Sequence, residues 1–272
     1  MKIFNFFSYI YIFIFGRKFF YCFNLILLKL VLKSIGYQNF GNFHFTGERK
    51  FIKSLKRFNP KLCVDIGAHT GNYSNLLFNE LKCKVISFEA NSYSFKELEK
   101  LKKNFKPNFY PYNYAISNKN KNIYLYYGSK LSQLASLHKN LSRINFIKNK
   151  NKNKKLVKGI TLDTFFEKNK KKFKSIDFIK IDTEGHEYEV LLGAKKTIKK
   201  FKPSFIQIEF NWHQLYKNNT LLSIHQLLQN YEAYRILPLG GTVIKIDTNR
   251  PENNIFHLSN IVFINKKINY GK

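Results

Sequence analysis

The sequence predicts an α/β fold with a mostly parallel sheet and helices on both of its faces. Short apolar runs such as 62–66, 84–88 and 177–182 alternate with stretches of helical periodicity, which is the pattern of repeated strand–helix units. Hydrophobic residues make up 44% of the 272 residues, so the chain can bury a core and disorder throughout is excluded. This length allows one large domain or two small ones.

Strands and helices are predicted to follow one another from residue 62 to residue 264. The predicted strands cover residues 62–66, 84–88, 108–116, 122–127, 177–182, 204–210, 234–237 and 257–264. Five helices are predicted. The first follows the 62–66 strand and ends near residue 81, and the second covers 92–105. The third covers 161–169 with Thr161 as its N-cap, the fourth follows the 177–182 strand and ends near residue 200, and the fifth covers 220–231. Residues 138–155, rich in Asn and Lys, are predicted to be a loop. Because no helix separates the last two strands, we expect an antiparallel strand at or near one edge of the sheet.

Two apolar runs, residues 3–15 and 19–32, lie at the N-terminus on either side of a short basic break. Neither run reaches the ~20 residues that a membrane-spanning helix needs. The second run has three lysines on one side of a helical wheel, Lys18, Lys29 and Lys33. This favours a helix lying in the membrane interface and makes residues 1–35 a candidate membrane-surface contact. Packing on the domain or on a second subunit is an alternative, and so is a signal or anchor sequence.

The chain carries a strong positive charge. Its 47 Lys and Arg residues against 17 Asp and Glu residues give a net charge of +30. Such a charge is typical of proteins that bind nucleic acid, anionic lipid or an acidic substrate. However, the chain is also rich in Asn, Ile, Phe and Tyr, and A/T-rich codons would produce this composition without any partner. We therefore do not expect nucleic acid as a partner on charge alone.

The three cysteines, Cys22, Cys63 and Cys83, are too few for a disulfide scaffold. Their apolar neighbours indicate reduced thiols and a cytoplasmic location, with attachment to the membrane surface left open. No Cys or His spacing in the sequence is typical of a structural zinc site.

Acidic residues are concentrated in one segment of this basic chain. Five of the 17 lie within residues 177–189. Ligands of open α/β sheets bind beyond the carboxyl ends of the strands, where Asp182 and Glu184 are expected. A helix start would explain Glu187 and Glu189, since acids there offset the helix dipole. We therefore predict Asp182 and Glu184 as catalytic residues.

Histidines near the same segment are further candidates. His186 is predicted as a catalytic base, because its pKa normally lies near neutral pH, and His213 is a second candidate. The alternative is that each is an ordinary loop or helix-start histidine.

A glycine-containing turn follows the first predicted strand. It reads Asp65-x-Gly67-x-His69-x-Gly71, and Glu89 ends the second strand. A dinucleotide site needs glycine where His69 stands, so NAD and FAD are disfavoured. A carboxylate at Glu89 can accept hydrogen bonds from both ribose hydroxyls of a single nucleoside. S-adenosylmethionine fits this pattern, because acidic residues tolerate its sulfonium.

Several blocks together resemble a known family. They are VDIGAHTG (64–71), FEAN (88–91), TLDTF (161–165), IDFIKIDTEGHE (176–187), VLLGA (190–194) and Pro203 to Phe210. In order and spacing they resemble the FkbM-type S-adenosylmethionine-dependent methyltransferases over roughly residues 60–265. Ala90 departs from the pattern, since the family usually has proline there.

The resemblance implies a Rossmann-like class I methyltransferase fold with a seven-stranded sheet. It places a methyltransferase domain over residues 48–272 and leaves 1–47 as an apolar, basic helical segment. It implies that Ser136 faces the cofactor, beside Asp65, Gly67, His69, Gly71 and Glu89. It further implies O-methylation, often of a sugar or polyketide hydroxyl, without a metal. We expect a glycan or small-molecule hydroxyl as the acceptor, and the oligomeric state is left open.

Two other functions remain as alternatives. Lys180, Asp182 and Glu209 resemble a Lys-Asp-Glu arrangement that is used to methylate ribose 2′-hydroxyls, which would make the chain an RNA methyltransferase. A non-catalytic, membrane-associated module is the other alternative, although the acidic residues of a working site are all present. A continuous basic track leading to Asp182 would favour RNA, and an aromatic-rimmed pocket would favour a glycan.

Overall fold

A computed structural model describes residues 2–139 and 151–270. Within these residues the strands are β1 (Leu62–Ile66), β2 (Lys84–Phe88), β3 (Phe109–Tyr112), β4 (Ala115–Ile116), β5 (Asn122–Tyr127), β6 (Asn153–Ile160), β7 (Phe178–Ile181), β8 (Phe205–Phe210), β9 (Tyr231–Ile236), β10 (Val243–Lys245) and β11 (Ser259–Asn265). The α-helices are α1 (Lys2–Phe15), α2 (Tyr21–Ser34), α3 (Glu48–Ser54), α4 (Asn72–Leu81), α5 (Ser92–Lys100), α6 (Lys102–Phe105), α7 (Leu162–Lys168), α8 (Glu187–Leu192), α9 (Lys195–Phe201), α10 (His213–Lys217) and α11 (Leu221–Gln226).

The main sheet confirms the predicted α/β fold class. In the described residues it has eight strands in the order β10-β9-β11-β8-β7-β1-β2-β3, one more than the seven expected. The strands β8, β7, β1, β2 and β3, which run from the middle of the sheet to one edge, are parallel, with Val64 of β1 paired to Ile86 on one side and to Ile179 on the other. All five residues of β1 are buried, as expected for a parallel strand covered on both faces. The carboxyl ends of β1, β2, β7 and β8 therefore meet at one edge.

The antiparallel strand expected near one edge is confirmed. Strand β11 runs antiparallel to both β8 and β9, so it lies third from the edge, inside β9 and β10. The additional strand is β10, which has three residues, and its short length hid it in the sequence.

A small second sheet, in the order β4-β6-β5, differs from the prediction. The strand predicted over 108–116 is divided, because its last two residues pair with β6 rather than with the main sheet. The prediction of a loop over 138–155 is wrong at its C-terminal end, where β6 begins at Asn153. The first half of β6 is exposed and rich in lysine, so it lacks the apolar run of a buried strand. Residues 140–150 of that loop lie outside the described residues.

Helix boundaries also differ from the predictions. The helix predicted to end near residue 200 is broken at Gly193, where a Cβ atom would overlap with the carbonyl oxygen of Ser117. The helix predicted over 220–231 ends at Gln226, because Tyr231 already belongs to β9. The helix predicted over 92–105 is divided into α5 and α6. Thr161 caps α7 as predicted, since its side chain accepts a hydrogen bond from the Thr164 N–H.

The two N-terminal helices form an exposed hairpin. No single helix of the described chain is long and apolar enough to cross a membrane, but residues 3–15 and 18–34 pass that test as a pair bent by 96°. The chain reaches the domain immediately after α2, where Tyr37, Asn39 and Thr46 are buried. The domain boundary at residue 47 stays a prediction.

Candidate active site

The turn between β1 and α4 brings the backbone of two strands into close contact. Gly67 has a φ of 85°, and a Cβ atom on it would overlap with the carbonyl oxygen of Asp182 at the end of β7. The N–H groups of Gly67 and Ala68 both donate to the carbonyl of Phe88, which ties the turn to β2. Glycine is thus required at position 67, and the turn leaves an open space beside it.

Glu89 holds this turn from the end of β2. Its side chain accepts hydrogen bonds from the N–H of His69 at 2.7 Å and from the N–H of Asn91 at 2.6 Å. Burial raises the pKa of Glu89 to about 7, although these two N–H groups favour the ionised form. Each carboxylate oxygen keeps a further lone pair, so Glu89 can still accept hydrogen bonds from a ribose.

A narrow cavity of about 70 Å³ opens between the turn and the small sheet. Its apolar lining suits a flat aromatic base, and Glu89 and Gln133 are among its polar lining residues. The lining includes Gly67, His69, Phe88, Glu89, Ala90, Ile116, Leu125, Gln133, Ala135, Leu137, Asp182 and Glu184. We call it the cofactor pocket, because it contains three of the six residues predicted to bind the cofactor.

The other three predicted cofactor-binding residues lie behind the pocket. Asp65 is buried and accepts a 2.6 Å hydrogen bond from Ser74, and burial raises the pKa of Asp65 to about 6. Gly71 packs against α5 and α6, where a Cβ atom would overlap with Leu101. Ser136 donates a 2.7 Å hydrogen bond to the carbonyl of Glu184. Direct contact of these three with a cofactor stays a prediction.

A larger cleft of about 490 Å³ lies on the other side of the turn. We call it the acceptor cleft. Aromatic side chains contribute to its walls, namely Phe40, Phe43, Tyr73 and Trp212. Four carboxylates also line it, those of Glu48, Asp182, Glu184 and Glu209. The two cavities share Gly67, His69, Gln133, Asp182 and Glu184, so they meet where the sequence predicted the chemistry.

Three carboxylates converge at this meeting point. Asp182, Glu184 and Glu209 each place an oxygen atom within 4.8 Å of the others. Burial and then the Asp182 carboxylate raise the pKa of Glu209 to about 8. Burial and then the Glu209 and Asp182 carboxylates raise the pKa of Glu184 well above its ordinary value. Because these pKa values are raised, the ionised form of either carboxyl is a stronger base than an ordinary glutamate.

One buried ammonium group balances part of this negative charge. Lys180 Nζ lies 3.4 Å from Asp182 and 3.6 Å from Glu48. Burial alone would lower the pKa of Lys180, but the carboxylates of Asp182 and Glu48 overcome it and raise that pKa. Lys180 also contacts Asn260 at 3.4 Å, so its position is fixed from three sides.

The loop after β7 is shaped by Glu187. Its carboxylate accepts hydrogen bonds from the N–H groups of Thr183 at 2.8 Å and of Gly185 at 3.3 Å. Asp182 does not cap the following helix, because α8 begins at Glu187 and its N-cap is His186. The loop therefore leaves Asp182, with a side chain 33% exposed, free to face the cleft.

The two candidate histidines differ in what they contact. His213 is buried, and its Nδ1 lies 3.2 Å from the Glu184 carboxylate. His186 lines neither cavity, since its ring nitrogens lie 2.8 Å from His138 and 2.8 Å from Ser117. Burial lowers the pKa of both His186 and His213 to about 4. His186 thus stays a predicted base without a contact to the cleft, while His213 touches the carboxylate cluster.

Among the residues that the structure describes, two groups of side chains are close enough to hold a metal ion. One is Asp182, Glu184 and Glu209, and the other is His138, His186 and Glu189. An ammonium group already lies against each, since Lys180 contacts Asp182 and Lys217 lies 2.6 Å from Glu189. Metal-free chemistry stays a prediction.

Sequence patterns did not identify the part of the acceptor-cleft wall that comes from residues before β1. Glu48 is buried, accepts hydrogen bonds from Thr46 at 2.8 Å and Gln207 at 2.7 Å, and faces Lys180. It is the first acidic residue of the chain, after 47 residues without one, and this isolation could have indicated its role.

Comparison with known proteins adds to this geometry. The family model described as the methyltransferase FkbM domain matches residues 65–236. The chain belongs to the FkbM methyltransferase family. It is therefore an S-adenosylmethionine-dependent methyltransferase, which confirms the predicted family, enzyme class and cofactor. The acidic cluster at the junction of the two cavities is accordingly the candidate active site of a methyltransferase.

Solved structures with a related fold are distant from this FkbM-family chain. An O-methyltransferase from Bacillus cereus in complex with SAH has 9% identity, 89% coverage of each chain and a TM-score of 0.46. A putative O-methyltransferase from Klebsiella pneumoniae has 10% identity, 80% coverage of each chain and a TM-score of 0.43. No match is found among curated proteins. Likeness at this distance carries no argument about the acceptor.

Proposed function

We propose that this protein transfers the methyl group of S-adenosylmethionine to a hydroxyl group of a sugar, glycan or related small molecule. The observation that carries the proposal is the acceptor cleft, whose walls combine aromatic rings with carboxylates. Aromatic faces pack against the apolar faces of sugar rings, while carboxylates and amides accept and donate hydrogen bonds to hydroxyls. Asn39 and Asn260 supply such amides beside Phe40, Tyr73 and Trp212.

The charge of the cleft supports this proposal over a polyanionic acceptor. Four carboxylates line it, and among its described lining residues Lys180 is the one lysine or arginine. The local charge is therefore negative in a chain whose net charge is +30. A phosphate backbone would be repelled from this site. Among the described residues that line the cleft, the positive charge of the chain is represented by Lys180 alone.

The carboxylate cluster can serve an in-line methyl transfer. Bound S-adenosylmethionine supplies an electrophilic methyl group on a cationic sulfur. In our proposal Asp182 orients the acceptor hydroxyl, and Lys180 holds Asp182 in place at 3.4 Å. As the new C–O bond forms and the C–S bond breaks, the hydroxyl proton passes to the ionised form of Glu184 or Glu209, whose raised pKa makes it a strong proton acceptor. Positioning and proton removal are the two contributions a protein makes to such a step.

Methyl transfer to a panel of free and lipid-linked glycans, with RNA as a competitor class, tests the proposal. We expect transfer to a glycan hydroxyl, and transfer to RNA alone would overturn the proposal. Trp212→Ala should raise the KM for the glycan while leaving the affinity for S-adenosylhomocysteine within a few-fold. Tyr124→Ala, which removes an aromatic ring that is 48% exposed and lines neither cavity, is the matched control.

One observation favours RNA ribose methylation as a second candidate. Lys180 lies against Asp182, and the Glu209 carboxylate also raises the pKa of Lys180, so the three residues are neighbours. The same assay separates the candidates by which acceptor is labelled.

We place the reaction in the cytoplasm, a proposal supported by Cys63 and Cys83, which stay free thiols although their sulfur atoms lie 3.3 Å apart.

A further inference from the structure

The helical hairpin α1–α2 exposes an unusual amount of apolar surface. Phe4 is 75% exposed and Phe19 is 87% exposed, and other large apolar residues of both helices are also exposed. Among the described side chains of the hairpin, Leu32 alone is buried. A helix that is apolar on all sides normally lies in a protein core or in a membrane, and an apolar patch of this size marks a binding surface.

The polar groups at the bend of the hairpin are bonded to each other. The Tyr11 hydroxyl donates to the side chain of Asn24 at 2.6 Å, and Asn24 donates to the carbonyl of Phe15 at 2.9 Å. These three polar groups therefore find hydrogen-bond partners within the hairpin and do not depend on water for them. Internal satisfaction of polar groups is what an apolar surrounding requires.

The charge of the hairpin is of one sign. The first 47 residues contain no acidic residue, and the hairpin carries Arg17, Lys18, Lys29 and Lys33. Basic residues on an apolar surface helix are attracted to anionic headgroups, while the apolar residues enter the acyl boundary. A second copy of the chain would bring the same positive charge, which opposes pairing of two hairpins.

We propose that the hairpin α1–α2 docks on the surface of an anionic phospholipid bilayer. The 96° bend prevents the pair from acting as one straight span and suits a hairpin held in the interface. This docking does not depend on which acceptor the enzyme methylates.

A short segment anchored in the domain joins the hairpin to the acceptor cleft. Tyr37, three residues after α2, donates a hydrogen bond to the carbonyl of Glu252 at 2.5 Å and accepts one from Arg235 at 2.6 Å. Phe40 then lines the cleft. Five residues lie between Ser34 and Phe40, so the two are six Cα–Cα steps apart, a reach of at most about 22 Å. Docking therefore holds the acceptor cleft close to the bilayer, where a membrane-bound acceptor would be presented.

Co-sedimentation of the full chain with vesicles tests the proposal. We expect binding to vesicles of phosphatidylcholine with phosphatidylglycerol, and much weaker binding to phosphatidylcholine alone. Lys29→Glu with Lys33→Glu should weaken binding about tenfold or more, since each basic residue contributes roughly fivefold. The control is Lys119→Glu with Lys199→Glu, which makes the same charge change at exposed lysines of the domain.

A second pair of variants tests the apolar contribution. Ile12→Glu, at a side chain 64% exposed, should weaken vesicle binding, while Ile244→Glu, at one 50% exposed on β10, should not. Both should bind S-adenosylhomocysteine like the wild type, which shows that they are folded.

Equal binding of the wild-type protein to both vesicle types would overturn the anionic part of the proposal. No vesicle binding, with light scattering reporting a dimer, would assign the hairpin to a second copy and overturn it entirely.

Discussion

The carbonyl oxygen of Asp182 occupies the space that a side chain on Gly67 would need. This contact joins the ends of β1 and β7, which carry the cofactor turn and the acidic loop. The two cavities meet at the same point, so the distance between cofactor and acceptor depends on this backbone contact. A small displacement here would misalign an in-line transfer, which tolerates little error in geometry.

Gly67→Ala should therefore lower both stability and activity. Alanine at a φ of 85° is strained, and its Cβ atom would overlap with Asp182, so we expect a loss of at least about 2 kcal/mol in the free energy of unfolding. Urea denaturation measures this change. The control is Gly240→Ala, where the nearest atom would be 3.5 Å from the new Cβ. Equal stability of the two variants would contradict the close contact.

Glu89 should be needed for cofactor affinity. Loss of a charge-assisted hydrogen bond to ribose should cost about 1.5–3 kcal/mol of binding free energy. Titration calorimetry with S-adenosylhomocysteine on Glu89→Gln measures this cost, since glutamine keeps the shape of the side chain. Glu97→Gln changes an exposed glutamate of α5 and serves as the control. Unchanged affinity in Glu89→Gln would remove Glu89 from the site.

Asp182 should affect turnover more than cofactor affinity. Asp182→Asn keeps the shape and removes the charge, so we expect kcat to fall by ~10²-fold or more, about 2.7 kcal/mol of transition-state stabilisation. Asn is an equally good helix cap, but Asp182 lies outside α8, whose N-cap position is His186, so a capping effect is not expected. Asp247→Asn, at an exposed carboxylate, is the control. Wild-type turnover would reject the catalytic assignment.

The stability of the unliganded protein should fall as the pH rises from 6.5 to 8. The pKa of Glu209 is raised from 4.5 to about 8, so in this window the folded protein retains a proton that the unfolded chain has released. The free energy of unfolding should therefore decrease by up to about 1.4 kcal/mol per pH unit for this group. The lowered pKa values of His138, His186 and His213 act in the opposite direction, and their contribution fades as the pH rises above 6.5, where the histidines of the unfolded chain also lose their protons.

Thermal unfolding across this pH range measures the slope. Glu209→Gln should reduce the decline, because glutamine does not titrate, while Glu97→Gln should leave it unchanged. Glu89 and Glu187, whose pKa values are raised to about 7, should maintain part of the decline in every variant. A decline of wild-type size in Glu209→Gln would show that Glu209 is not the group that binds the proton.

Sequence patterns predicted the strands that build the active site. Strands β1, β2, β7 and β8 are buried on nearly every residue, so their apolar runs were clear, and the acids at their ends were placed correctly at one edge. Glu89, Asp182 and Glu184 line the cofactor pocket for this reason. Residues at the carboxyl end of a buried parallel strand can thus largely be placed from the sequence.

Contacts between distant segments were not predictable in this way. The orientation of His186 toward Ser117 depends on how α8 packs against the small sheet, and periodicity does not report this. The strand β6 was missed because its exposed lysines resemble a loop. Glu48 lies 132 residues before its partner Lys180, so no local pattern could join them.

The ion pair of Lys180 and Glu48 connects the segment that follows the hairpin with the candidate active site. Glu48 begins the first helix after the hairpin, and Lys180 supports Asp182 in the active site. Suppose that vesicle binding alters the affinity for S-adenosylmethionine by some factor. Linkage then requires that S-adenosylmethionine alter the affinity for vesicles by the same factor. Titrating vesicles with and without the cofactor thus measures, in one number, the coupling between the membrane surface and the cofactor site.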